Sequence, residues 1–305
     1  MGFGKLFTLQ FLMFAEIAVG YALCRFQVLK PKDRSVLSKL IMNVLLPCSI
    51  INSFNMEMNS TLLSQFIQIF ILSLLIEIGG IIFNLFAWNW AEKDVQPTLK
   101  YGTICSNAGF LGNAVSEEVY GPMGLIITQI FLVPSRMIAF SFGAGYFSGG
   151  KNFKQIIKTI FTNPCLIAVM LGVLKMLFNP PLGPVNDVLG SLGRCASPIA
   201  MVFIGMILGE SGFGHLLSKY NLAYAFVRLL LIPVLTLIPC VLLGVDPLVT
   251  SITVVMAAMP AGSTASVFAD QYNCNAEFAA NCVVFSTLVS LLLLPGWVML
   301  LNAVL

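Results

Sequence analysis

Long apolar runs, each near the length of a membrane-spanning helix, alternate with short polar connections along the whole chain. A window of about 20 residues, the length a helix needs to cross hydrocarbon, picks out ten runs. They lie at roughly 6–24, 36–55, 64–88, 99–118, 122–147, 160–178, 188–209, 219–243, 248–270 and 278–304. The pattern predicts an all-α membrane protein of ten transmembrane helices. Two runs are interrupted from within. The fourth contains Ser106-Asn107-Ala108-Gly109-Phe110-Leu111-Gly112-Asn113, and the ninth contains Pro260-Ala261-Gly262-Ser263-Thr264-Ala265-Ser266. Glycine, proline, amides and hydroxyls at mid-span weaken a helix and leave backbone groups needing partners, which is tolerated only where the segment lines a cavity or is buried in protein. The two stretches are expected to be broken helices that face each other. Prolines 47, 134, 164, 198, 233, 239 and 295 fall in or near spans and predict kinks in several others.

The two halves of the chain share landmarks. Gly20 and Gly172 are 152 residues apart, Pro47 and Pro198 are 151 apart, and Tyr120 and Tyr272, each ending a broken span, are 152 apart. The register slips only before the last span, where an insertion in the preceding loop accounts for the position of Pro295. A duplicated five-helix unit follows, 1–147 and 160–305 within a single membrane domain. Because five is odd, the second copy enters from the opposite face, so the repeat is inverted, an arrangement that serves alternating access.

Composition excludes other classes. A mean hydropathy of +0.93, with 58% hydrophobic and 10% charged residues, rules out a soluble enzyme, and a net charge of +3 is too small to suggest nucleic acid. Most of the eight cysteines sit in or beside apolar segments without a CxxC pair or a Cys/His cluster, and read as small packing residues. No metal or cofactor is implied, and GxSxG, HExxH and paired aspartates within a span are absent. The first apolar run is read as a spanning helix and not a cleavable signal. Connections after odd-numbered spans carry eleven lysines and arginines against three on the other side, which puts those loops in the cytoplasm and both termini outside.

Lys100-Tyr101-Gly102-Thr103-Ile104-Cys105-Ser106-Asn107-Ala108-Gly109-Phe110-Leu111-Gly112-Asn113, with Leu46-Pro47, Asn163-Pro164 and Ala258-Met259-Pro260-Ala261, resembles the auxin efflux carrier family in its bacterial permease branch. The resemblance covers essentially the whole chain. It implies an NhaA-like fold, with spans 1, 2, 6 and 7 as a scaffold and spans 3–5 and 8–10 as a transport domain. It also implies crossing of broken helices 4 and 9 at mid-membrane, a plasma-membrane location, a homodimer, and export or exchange of organic anions such as malate, malonate or auxin. One departure limits it. Plant members carry proline at both crossings, whereas span 4 here breaks at Gly109 and Gly112, so the substrate does not carry over.

The chemistry of the crossing points the same way. Helix ends at mid-membrane expose unpaired N–H groups and the positive end of the helix dipole, an environment that suits a carboxylate. Ser106, Asn107, Asn113, Ser263, Thr264 and Ser266 offer amides and hydroxyls around the breaks at Gly109, Gly112, Pro260 and Gly262. Intramembrane charges are costly and mark function. Glu77 in span 3 and Arg228 in span 8 are 151 residues apart, hence pseudo-equivalent. Three readings stay open for them: a buried ion pair, a proton carrier at Glu77 coupling transport to the proton gradient, or no meeting at all. Arg136, after Pro134 in span 5, either meets the substrate carboxylate or caps carbonyls freed by that proline. Glu16 reads as a packed scaffold carboxylate, Glu117 and Glu118 as a solvated rim, and His215 as a loop residue. No carboxylate lies within either broken motif, which favours proton coupling or uncoupled transport over sodium. A carrier of a small organic anion leads. The alternative is a transporter-fold sensor or accessory protein that binds without net transport, and an intramembrane enzyme is the weakest reading.

Overall fold

The structure is a computed structural model and describes residues 3–54, 60–109, 111–148, 162, 164–178, 183–210, 216–262 and 264–305. Regular structure among these residues is helical, with one isolated antiparallel bridge between Ser106 and Ala261. Five helical runs among them are long and apolar enough to cross a membrane: Asp33–Asn52, Ser60–Asn84, Leu111–Ile138, Lys219–Leu242 and Ala276–Val304. Leu111–Ile138 is two arms, because Gly121 adopts φ 69° between them, a conformation that glycine enters without steric cost. The bend falls in the gap predicted between the fourth and fifth runs.

Both predicted interruptions are present. The helix Gln96–Ile104 stops at Cys105, which is extended (φ −127°, ψ 102°), and helix resumes at Leu111 after a single tight turn over Asn107–Gly109. The helix Pro247–Ala257 stops likewise, and helix resumes at Thr264. A third interruption falls where Pro198 predicts a kink. The seventh run divides into Pro184–Arg194 and Ala196–Glu210, where Pro198 has no N–H to offer the Arg194 carbonyl four residues earlier. Other prolines are accommodated by wide π turns, at Ile41–Leu45 before Pro47 and at Val227–Leu231 before Pro233. The carbonyl that Pro233 leaves free, Leu229, accepts instead from the Trp297 indole at 2.9 Å.

The chain divides into two compact units. The first takes Met1–Ser64, Asn113–Gln129 and Ile160–Gly212, as far as these are described. Here Phe3–Arg25 packs against Ala196–Glu210 so closely that a Cβ on Gly20 would enter the Val202 carbonyl; at a second close approach, between Pro164–Phe178 and the end of Leu46–Ser53, a Cβ on Gly172 would enter the Phe54 ring. Small residues at such points let helix backbones approach in lipid. Arg34 and Glu210 form an ion pair at 3.0 Å in this unit. The arms flanking Gly121 are tied by Gln129 donating to Asn113 at 2.6 Å and Thr128 donating to Ser116 at 2.8 Å.

The second unit takes Gln65–Gly112, Ile130–Thr159 and Phe213–Leu305, again as far as described. Its core gathers Trp88, Leu99, Tyr101, Phe147, Tyr220 and Tyr224 with the small residues Ala261, Ala265 and Ala269. Asp246 caps Pro247–Ala257 by accepting from the Leu248 and Val249 N–H groups, and is itself held by Gln65 at 3.1 Å. That fixes where the ninth run begins and hence how deep its break lies.

Candidate functional site

The two breaks meet inside the second unit. Asn107 N–H donates to the Pro260 carbonyl at 2.7 Å, and Gly262 N–H donates to the Cys105 carbonyl at 3.3 Å. These short antiparallel segments therefore give each other the partners that hydrocarbon cannot supply. Close approach is built in: a Cβ on Gly112 would stand 2.8 Å from Met256 Sδ. A further donor of the ninth break, Ala261 N–H, reaches Ser286 Oγ at 3.1 Å. Thr264 Oγ1 lies 2.7 Å from Tyr101 Oη and 3.7 Å from Cys105 Sγ. Its hydroxyl is engaged in fastening the crossing.

Helix C-termini leave carbonyls without partners and carry the negative end of the dipole. Both first halves end near one side chain. Arg228 donates from Nε to the Met259 carbonyl at 3.0 Å and from Nη1 to the Thr103 carbonyl at 2.7 Å. One turn earlier on the same helix, Tyr224 Oη donates to the Gly102 carbonyl at 2.9 Å. Of the three readings open for Glu77 and Arg228, the buried ion pair is not seen. Among the described residues the ion pair within 4.0 Å is Arg34 with Glu210, and Glu77 feels Arg228 only through space. Glu77 is buried, hydrogen-bonded by the Ser135 hydroxyl, with Oε2 unpartnered.

Arg136 is the opposite case. It is 7% exposed, and neither Nη1 nor Nη2 has a hydrogen-bond partner. The terminal nitrogens therefore do not cap carbonyls freed by Pro134. The guanidinium instead lies beside the fourth-run break, where a Cβ on Gly109 would sit 3.7 Å from Nη2. A buried cation without a partner is expensive, and the arrangement is suited to an anion that enters and supplies one.

Of the other residues singled out, Ser106, Asn107, Gly109, Gly112, Pro260, Gly262 and Thr264 share the second unit with Arg136, Glu77 and Arg228. Asn113 belongs to the first unit, where its amide oxygen accepts from Gln129. Ser263 and His215 lie outside the described residues. Glu118 is exposed, and Glu16 and Glu117 are partly buried. Among the described residues no group of His, Cys, Asp and Glu could hold a metal ion. A cavity of about 350 Å³ between Ser60–Asn84 and Lys219–Leu242 has apolar walls, including Leu75, Ile76, Phe83 and Leu235, and touches the crossing only at Thr103.

Tyr101, Tyr224, Ser135 and Ser286 were not anticipated. Tyr224 carried a signal, its position four residues before an intramembrane arginine and so on the same helix face. The serines carried none, since a hydroxyl in a spanning helix commonly bonds its own backbone, as Ser286 also does to Cys282 at 2.7 Å.

Ten apolar runs, two broken helices crossing through backbone hydrogen bonds and a buried arginine with unpartnered terminal nitrogens are the setting in which relatives can be read. The family model described as membrane transport protein matches residues 6–149 and 150–298. The chain belongs to this family, the auxin efflux carriers. It is 28% identical over 288 residues, 92% of this chain and 93% of the relative, to an uncharacterized transporter of Methanothermobacter thermautotrophicus. It is 24% identical over 216 residues, 65% of this chain and 64% of the relative, to a Rhizobium meliloti protein provisionally named a malonate transporter. The chain is a multi-pass membrane protein of a family of transporters, not of enzymes.

Proposed function

We propose that the chain is a secondary or facilitative carrier of a small organic anion, and that the anion's carboxylate docks on Arg136 at the break near Gly109. The observation that carries this reading is the buried guanidinium whose two terminal nitrogens have no protein partner. A charge kept in that state is stable only if something of opposite sign completes it. A malonate-like dicarboxylate is the first candidate, given the name borne by the Rhizobium meliloti relative. Asn107, Ser106 and the N–H groups beginning the second half-helices orient the cargo. Glu77, hydrogen-bonded by Ser135, is the coupling site that takes up a proton on each cycle.

The transport motion is of the elevator type, with spans 3–5 and 8–10 moving against a scaffold of spans 1, 2, 6 and 7, in an NhaA-like inverted repeat of ten spans that assembles as a homodimer in the plasma membrane. Support for the repeat comes from Gly20 and Gly172, which are 152 residues apart and both sit at close helix contacts.

The test is a thermal-shift screen of purified protein against mono- and dicarboxylates, with wild type and Arg136→Gln in parallel. A ligand that binds only the native state stabilises it by RT ln(1+[L]/Kd). One acid class is expected to raise the melting temperature of wild type and not of the variant. Equal shifts in both proteins, or none from any acid, would reject the carboxylate site.

A further inference from the structure

Among the described residues, two buried arginines lie at the crossing, and one donates to two backbone carbonyls. We infer that Arg228 is a positioning residue that clips the two broken helices together at their C-terminal ends, so that both breaks, and the anion site beside them, keep one geometry. The second clause rests on the carrier reading above; the clip itself does not.

Each first half-helix ends in a place without water, with carbonyls that must find donors. Thr103 lies three residues before Ser106, and Met259 lies two before Ala261, so the capped carbonyls immediately precede the bridge joining the breaks. A guanidinium reaches both because its donors diverge in one rigid plane; an ammonium is a point charge on a flexible stem and lacks that fork. The side chain is 5% exposed, so solvent does not replace it. Its positive charge is set against the negative ends of two helix dipoles. Among the described residues of the crossing, that leaves the Arg136 head group as the uncommitted cation.

Two consequences distinguish a clip from an ordinary buried contact. The breaks must loosen together when Arg228 is altered, although they are far apart in sequence. Loss of a neighbouring cap on one half-helix must loosen that half alone; Tyr224, which reaches only Gly102, supplies this control.

Amide hydrogen exchange of the full chain in nanodiscs, without ligand, reads both. In Arg228→Gln, exchange is expected to rise about tenfold or more in peptides covering 103–109 and 257–262, the scale of one lost charge-assisted hydrogen bond. In Tyr224→Phe the rise is confined to the first peptide. If Arg228→Gln does not accumulate, Arg228→Lys is read instead: it keeps the charge and must still deprotect at least one break. Unchanged exchange at 257–262 in Arg228→Gln, full protection of both breaks in Arg228→Lys, or joint opening in Tyr224→Phe would overturn the clip. Malonate uptake in proteoliposomes then tests positioning: Arg228→Lys is expected to raise KM severalfold with kcat largely kept. A change in kcat alone would overturn the positioning role. If malonate neither shifts nor crosses with wild type, the anion reading fails while the exchange result stands on its own.

Discussion

The two arginines of the crossing differ in what surrounds them, and the contrast separates structure from function. Arg228 bonds two carbonyls at the ends of two half-helices, whereas Arg136, similarly buried, leaves both terminal nitrogens unbonded beside Gly109. In low dielectric a satisfied cation holds the fold together, and an unsatisfied one weakens it until a partner arrives. Substitution should therefore move stability in opposite directions at the two sites.

The largest effect is expected at the satisfied site. Arg228→Gln orphans the Thr103 and Met259 carbonyls and should cost about 3 kcal/mol or more, seen as a large fall in melting temperature. Arg136→Gln removes an unpartnered buried charge, so the unliganded protein should melt no lower than wild type, while the acid-induced shift disappears. A melting temperature that falls as far as in Arg228→Gln would break the comparison. Glu77→Gln sharpens it from the coupling side. With the proton carrier gone, gradient-driven accumulation in proteoliposomes should be lost and exchange across equal pH retained; loss of both, with folded protein present, would count against coupling there. The smallest change is expected from Tyr224→Phe, which removes one neutral hydrogen bond to Gly102 and should cost about 1 kcal/mol in a thermal melt.

Much of this architecture is readable along the chain. The apolar runs are long because hydrocarbon admits only helices with their backbone bonds closed. The breaks are marked because Gly109, Gly112, Pro260 and Gly262 are poor helix residues in a medium that offers no water to compensate. At Pro198 a kink was legible but the division at Cys195 was not, because a single proline inside a run more often kinks a helix than splits it. The pseudo-equivalence of Glu77 and Arg228 followed from their common offset, yet symmetry of position does not say which polar group is nearest. The carbonyls of Thr103 and Met259 lie 125 and 31 residues from Arg228, and no spacing rule connects them.

The amino-acid sequence by itself determined the class of the protein, its apolar runs, the places where two of them break and the resemblance to a transporter family. These follow from local composition and from the cost of placing polar groups in lipid. Tertiary structure alone decided which polar groups satisfy one another: Arg228 with two helix ends, Thr264 with Tyr101, Ala261 with Ser286, and Arg136 with none at its terminal nitrogens. Backbone carbonyls have no identity in the sequence, so a side chain that answers them finds its partner only once the helices have packed.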